Sequence, residues 1–238
     1  MNIKELDTIL FDHKNWILNK ENGKQADLTG ANLKDANLSY ADLTGANLTR
    51  ADLTGAYLKR ADLTRADLTG AILIDSDLTG SNLRSANLRC SNLTGANLTG
   101  ADLTRADLMD SDLTKASLKR ADLIRANLTG ANLKDANLTY VDLTDAILIG
   151  SDLTRANLTG AVLIGSDLKG ASISVFCRWA LSYKNDLIRI GCKEKTIEDW
   201  DSFFESNRIY KTKRDTEDFK RIRANYEALK TYLNIMKK

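Results

Sequence analysis

The chain predicts an all-β fold, a β-solenoid wound in square coils, and three observations predict it. A five-residue phrase, Ala-Asp/Asn-Leu-x-x, recurs twenty-nine times from Ala26 to Gly170 without an insertion. Its central residue is Leu at every repeat from Leu28 to Leu168. The chain contains no proline, the residue that would remove a donor from a continuous hydrogen-bond ladder.

The period decides between the possible elements. Five residues on an α-helix advance about 500°, so successive leucines would drift about 140° apart and form no stripe. One long strand fails as well, because a period of five puts alternate leucines on opposite faces. Within a phrase, Ala26 and Leu28 are two apart and share a side while Asp27 points away. A chain that turns a corner after each phrase therefore points every Ala and Leu inward, and four corners close a coil of twenty residues.

Phrases such as ADLTG, ANLKD, SDLTR and ANLTY, with Leu central and Ala or Ser two before it, closely resemble the pentapeptide-repeat family over residues 26–170. That resemblance implies a right-handed quadrilateral β-solenoid. About seven coils at about 4.8 Å each make a rod about 35 Å long. Each buried Leu is worth roughly 1.5–3 kcal/mol. Stability then accumulates between neighbouring coils, and both ends need caps.

Residues 1–25 read as the N-terminal cap. Ile3, Leu6, Leu10, His13 and Ile17 fall at helical spacing, Ile9 and Trp16 widen the apolar face, and Gly23 lies in a polar turn before the first phrase. Leaders with an aliphatic residue, a His and a Trp at this spacing are similar to those of phage and bacterial members of the family. His13, the single histidine, is expected to pack on the inner helix face and bond a neighbouring backbone group rather than to serve catalysis or a metal.

The solenoid is expected over 26–174, decaying at Ile173, and a small α+β module over 175–238. Glutamate is absent from the repeats and returns in that module, with two of the three tryptophans. Val175-Phe176-Cys177 and Leu187 to Ile190 read as short strands around a polar turn from Ser182 to Asp186. Thr196-Ile197-Glu198-Asp199 opens a short helix presenting Ile197, Trp200, Phe203 and Phe204. The run Ile188-Arg189-Ile190-Gly191-Cys192, with Thr196-Ile197-Glu198 and Trp200, resembles a tail found in phage-type members and implies no activity. Phe219, Ile222, Tyr226, Leu229, Leu233 and Met236 follow alternating spacings of three and four, the seam of a short coiled coil. It either pairs two copies into a homodimer, as the resemblance implies for C-terminal ends, or lies against the chain's own solenoid, Trp200 or Phe204.

The 238 residues carry a formal net charge of +2. No run is long enough to span a membrane and the N-terminus is not signal-like, so a cytoplasmic location is expected. Cys90 falls at a corner of the rod, and Cys177 and Cys192 stand fifteen apart with no CxxC or histidine partner, so no metal or cofactor site is expected. No phosphate-binding glycine loop, HExxH or Ser/His/Asp set is present, which points away from an enzyme.

Residues twenty apart stack, so the outer surface reads as columns. The face containing Ala41 stacks Asp42, Asp62, Asp102, Asp122 and Asp142, interrupted by Asn82, with Arg65, Arg105 and Arg125 expected to relieve a repulsion under about 1 kcal/mol per pair in water. Six Asp against four Arg leave it at −2. The quinolone-resistance proteins of the family imitate duplex DNA and bind DNA gyrase, which makes a topoisomerase-modulating mimic one functional expectation. Yet the rod's 18 Asp against 15 Lys and Arg give only −3 over residues 26–170, little for a phosphate mimic. Another face carries Tyr40, Tyr57, Lys59, Arg60, Lys119, Arg120 and Tyr140 against the single acid Asp77, a net of +3. It stacks Tyr40 beside Arg60 and Arg120 beside Tyr140 in an order suited to cation–π contact, and can serve nucleic acid or an acidic protein surface. The expectation overall is a non-enzymatic rigid scaffold for protein–protein interaction, with gyrase mimicry and nucleic-acid binding as alternatives. Ile147, Ile149, Val162 and Ile164 form an apolar corner that the C-terminal module is expected to cover.

Overall fold

The computed structural model describes residues 3–174, the segments 181–184, 187–190 and 193–195, and residues 200, 226 and 227. Helix α1, Ile3–Ile17, opens the chain. Leu6 and His13 on its inner side are buried, and Ile9 and Leu10 pack partly covered against the core. After the helix the Lys24 amide donates back to the Asp12 carbonyl. Gly23 lies so close to the helix that an added Cβ would stand 2.2 Å from the Trp16 backbone nitrogen, so only glycine lets the chain turn into the first coil here.

From Asp27 onward each second residue of a phrase forms a parallel rung with the residue twenty further on, from Asp27 with Asn47 to Ile147 with Asp167. Strands β1, Asp152–Thr154, and β2, Ser172–Ser174, continue the same register. In a typical rung the Leu28 amide donates to the Asn47 carbonyl at 2.7 Å and the Asn47 amide to the Ala26 carbonyl at 2.9 Å. The central leucines are buried throughout the rod, and so are the alanines before them except Ala31, Ala36, Ala41 and Ala161 near its ends, which are partly buried.

The corners come from the rest of the phrase. The Ala31 amide donates to the Leu28 carbonyl at 3.0 Å, closing a β-turn, and the pattern repeats along the rod. Every fifth residue of the twenty-nine phrases has a positive φ, between +53° and +71°, including seventeen residues other than glycine. A left-handed L-residue costs roughly 1–2 kcal/mol, less than or comparable to what the adjacent Leu gains by burial. The corner is therefore imposed by the core and the ladder, and residue choice at the fifth position is left to other demands.

Six buried serines replace Ala at the phrase start. The hydroxyls of Ser76, Ser91, Ser111, Ser151 and Ser166 donate to the Leu carbonyl three residues earlier at 2.6–2.9 Å. That carbonyl also accepts the serine's own amide, at a lengthened 3.1–3.3 Å. Ser81 keeps the amide bond at 3.0 Å, and its buried hydroxyl has no partner.

Past the rod, β3, Leu181–Lys184, β4, Leu187–Ile190, and β5, Lys193–Lys195, form an antiparallel sheet in the order β3-β4-β5. The expected strand at 187–190 is present, but Ser182 to Lys184 are strand rather than turn. Lys184 pairs with Leu187; Asn185 and Asp186 lie outside the described residues. Val175 to Cys177 lie outside the described residues. Ile147, Ile149, Val162 and Ile164 are 38–53% exposed; most of the module expected to cover them lies outside the described residues. No helix among the described residues is long and apolar enough to cross a membrane.

Two predictions test this core. Leu98 is fully buried, and Leu98→Lys puts an unpaired charge into a dry stack at a cost of several kcal/mol; a melting temperature within two degrees of the parent's would refute the inward assignment. Ser81→Ala removes an unpaired hydroxyl and should stabilise by about 1 kcal/mol, whereas Ser91→Ala breaks a made bond and should destabilise by a similar amount. Thermal melts of the two variants should move in opposite directions.

Candidate binding face

Four faces follow from the twenty-residue register, with phrases that begin at residues 26, 31, 36 and 41 and at every twentieth residue after each. In each phrase the second, fourth and fifth side chains point outward. The second is held locally: Asp27, for example, accepts from the backbone N–H and the hydroxyl of Thr29, and these bonds hold its carboxyl below the usual carboxylate range. Asp52 is lowered by the Thr54 hydroxyl and further by Lys34.

The fourth and fifth residues decide which charges cancel. Lys34, Arg84 and Arg89 reach forward to Asp52, Asp102 and Asp107, each eighteen residues on, at 3.2–3.3 Å. Arg125 reaches Asp145 at 3.4 Å, and Arg155 reaches back to Asp135 at 2.6 Å. The acidic column at Asp62 and Asp102 is thus relieved by Asn82, whose amide donates to Asp62 at 3.3 Å, and by Arg84. The expected contributors Arg65 and Arg105 form no ion pair among the described residues, because a fifth side chain leans along its own column rather than across to the aspartates.

All these ion pairs lie on three faces. In residues 26–170 the first face carries five Asp against three cations, and the second and fourth carry six against four, leaving each at −2. The third has one Asp against four cations and stands at +3. Lys59, Arg60, Lys119 and Arg120 belong to it, are exposed, and pair with no carboxylate among the described residues. Its single acid, Asp77, accepts from Thr79.

The same face holds Tyr40, Tyr57 and Tyr140, at 66%, 53% and 57% exposure. Its fifth-residue column reads Tyr40, Arg60, Gly80, Gly100, Arg120, Tyr140, Gly160. The Tyr140 ring lies over Gly160, where an added Cβ would stand 2.4 Å from the ring, and the Arg60 stem leans over Gly80. Tyrosine and arginine are column neighbours, as expected, but the ring contact formed among the described residues is His13 on Trp16 rather than a ring–guanidinium pair. All seven residues of the expected face thus share one side. They are grouped as Tyr40, Tyr57, Lys59 and Arg60 near one end and Lys119, Arg120 and Tyr140 near the other, with small polar residues between.

At the N-terminal end of this face a cleft of about 340 Å³ opens between α1 and the first coil, lined by Leu10, Lys14, Ile17, Leu18, Tyr40 and Asp42 among others. Sequence spacing did not reveal it, because it needs the docking angle of α1. His13 is a structural residue: its Nδ1 accepts the Ala26 amide at 2.9 Å, and its ring stacks on Trp16 at 5.4 Å. Burial pushes its pKa down, offset in part by the Asp42 charge and the Thr44 carbonyl, although Nε2 closes no well-formed hydrogen bond. In the expected helical seam, Tyr226 is helical and buried. Phe219, Ile222, Leu229, Leu233 and Met236 lie outside the described residues. Trp200 is helical and buried.

A family model for pentapeptide repeats matches in overlapping stretches from residue 26 to residue 174. HetL, a pentapeptide repeat protein involved in heterocyst differentiation regulation in the cyanobacterium Nostoc sp. strain PCC 7120, is 31% identical over 73% of this chain and 95% of its own, with a TM-score of 0.35. The pentapeptide repeat protein Rfr23 from the cyanobacterium Cyanothece 51142 is 38% identical over 37% of this chain, with a TM-score of 0.35; the match spans 58% of Rfr23. QnrB1, a plasmid-mediated fluoroquinolone resistance protein, is 23% identical over 57% of this chain and 76% of its own, with a TM-score of 0.42. Among curated proteins nothing matches.

The His13 bond sets a pH dependence. The folded pKa lies below the ordinary histidine value of 6.5, so the folded state binds the proton less readily than the unfolded chain. The stability contributed by His13 is complete above pH 6.5 and is lost as pH falls below it. Melting temperature should therefore drop between pH 7.5 and 5.5. In His13→Gln, whose amide oxygen can accept the Ala26 N–H without titrating, the drop should be clearly smaller; an equal drop in both proteins would refute the role of His13.

Proposed function

Because the chain belongs to the pentapeptide-repeat family, whose members form right-handed quadrilateral β-helices, we propose that it is a non-catalytic rigid scaffold that recognises a macromolecular partner, acting in the cytoplasm. The observation that carries this reading is charge segregation: one face at +3 with three exposed tyrosines and unpaired cations, against three faces at −2 whose charges are partly cancelled in place. Solvation alone asks for mixed charge on every face. A rigid ladder also holds the columns at fixed spacing, so little side-chain or backbone order remains to be gained on binding.

The DNA-mimic alternative, directed at DNA gyrase, calls for a surplus of carboxylates. The rod's −3 and its basic face weigh against it. Two measurements test the proposal together. Capture with the intact chain and with a Lys59→Glu, Arg120→Glu variant should lose a partner that an Arg50→Glu, Arg89→Glu variant retains; identical capture by all three refutes use of this face. A supercoiling assay should show no inhibition of gyrase at micromolar protein, and inhibition there would move the assignment to the mimic.

A further inference from the structure

We infer that the third face is a platform for single-stranded nucleic acid, laid along the rod axis from Tyr40 to Tyr140. The inference rests on the scaffold reading's use of this face and names the chemistry of its partner.

Three features of the face fit that ligand. The first is charge. Lys59 with Arg60 and Lys119 with Arg120 make two cationic pairs three coils apart, about 14 Å at about 4.8 Å per coil. Their columns leave three of the four without a carboxylate neighbour: Gly80 follows Arg60, Tyr140 follows Arg120, and Asn137 occupies the position eighteen beyond Lys119. Asp77 holds that position for Lys59 and accepts from Thr79 through one oxygen, but among the described residues it forms no ion pair with Lys59. A polyanion is thus attracted to this face and repelled by the other three, which aligns it with the rod.

The second feature is the aromatics. Every tyrosine in residues 26–170 is on this face, and each is more than half exposed. Exposed rings beside unpaired cations are what unstacked bases use, since each base has a π-face and stacking tolerates any sequence. A duplex keeps its bases stacked on one another and offers these rings nothing. An acidic peptide would satisfy the cations but has no need of three ring platforms. From Tyr40 to Tyr140 is five coils, about 24 Å, a length for several nucleotides.

The third feature is relief. Between the two cationic pairs the outward residues are Asp77, Thr79, Gly80, Asn97, Thr99 and Gly100. These are small and polar and let a backbone lie close. At the Tyr40 end the strand meets the cleft beside α1, where Leu10, Ile17 and Leu18 offer an apolar floor and Lys14 a further cation.

The test is fluorescence anisotropy of a labelled twelve-nucleotide oligothymidylate with the full chain, over a salt series. Binding should weaken with salt at a log–log slope of about −3, as four phosphate contacts on a single strand require. Lys119→Ala with Arg120→Ala should cut affinity at least tenfold and bring the slope to about −1.5. Tyr40→Ala with Tyr57→Ala should also cut affinity at least tenfold but leave the slope unchanged, because stacking releases no counterions. Arg50→Ala with Arg89→Ala, which removes the same charge from another face, should change affinity less than twofold. Circular dichroism melts of each variant show whether the rod is intact. Equal sensitivity to both cation pairs would mean diffuse attraction and overturn the inference. Polyglutamate binding in place of the oligonucleotide, with the same dependence on Lys119 and Arg120, also overturns it but leaves the scaffold reading standing. If neither ligand binds, the inference falls, and the scaffold reading is judged by the capture experiment.

Discussion

The parallel register between each residue and the one twenty further on is the constraint on which the rest depends. Each second-position residue exchanges amide and carbonyl bonds with neighbouring coils, so the ladder runs the length of the rod without an isolated sheet edge along its sides. One slipped residue would move every Leu from the core to the surface, and a missing corner would break the square. This accounts for seventeen residues other than glycine in a left-handed conformation. Their local cost is set against four leucines buried per coil and a ladder that has no alternative register with the same core.

The same constraint separates structure from recognition. Inward positions admit little but Leu, Ala and Ser, and even the serine hydroxyls must find a carbonyl already committed to the corner turn. Outward positions carry almost no folding information, so their pattern is free to record other demands. The ion pairs show how closely that pattern follows geometry: a fourth residue meets an aspartate eighteen residues on, and a fifth meets its own column. Where no carboxylate occupies those places, the cation is left for solvent or a partner. On the third face this holds for Arg60, Lys119 and Arg120 together, whereas each of the other faces has at least one cation in an ion pair.

The phrase made the inward set, the twenty-residue coil and the columns legible, because a strict period leaves one arrangement that buries every Leu. The left-handed corners were less visible. All twelve glycines of the rod occupy the fifth position, which is a signal, but Arg, Asp and Tyr at the same position mask it. Spacing alone sets Arg65, Arg105 and Arg125 beside the acidic column, but it does not reveal which way a side chain leans, and Arg125 goes to Asp145. The polar residues from Ser182 to Lys184 suggest a turn, although a strand needs only backbone pairing and Leu187 to Ile190 supply it. The cleft beside α1 brings Leu10, Lys14, Ile17 and Leu18 against Tyr40 and Asp42, a tertiary juxtaposition with no local signature.

His13 shows how the cap and the rod are joined chemically. No phrase precedes Ala26 to offer its amide the Leu carbonyl that every later phrase start uses in the corner turn, so the Ala26 N–H would otherwise be buried without a partner. The Nδ1 of His13 takes the place of the missing carbonyl. A carboxylate could accept the same bond but would bring a charge into the apolar end of the stack, and a methionine or leucine would leave the amide unbonded. Neutral imidazole supplies an acceptor and, stacked on Trp16, an apolar ring in one side chain. Placed on the inner side of α1 among Leu6, Ile9 and Leu10, it ends the ladder as part of the core, and this is the work that the chain's single histidine does.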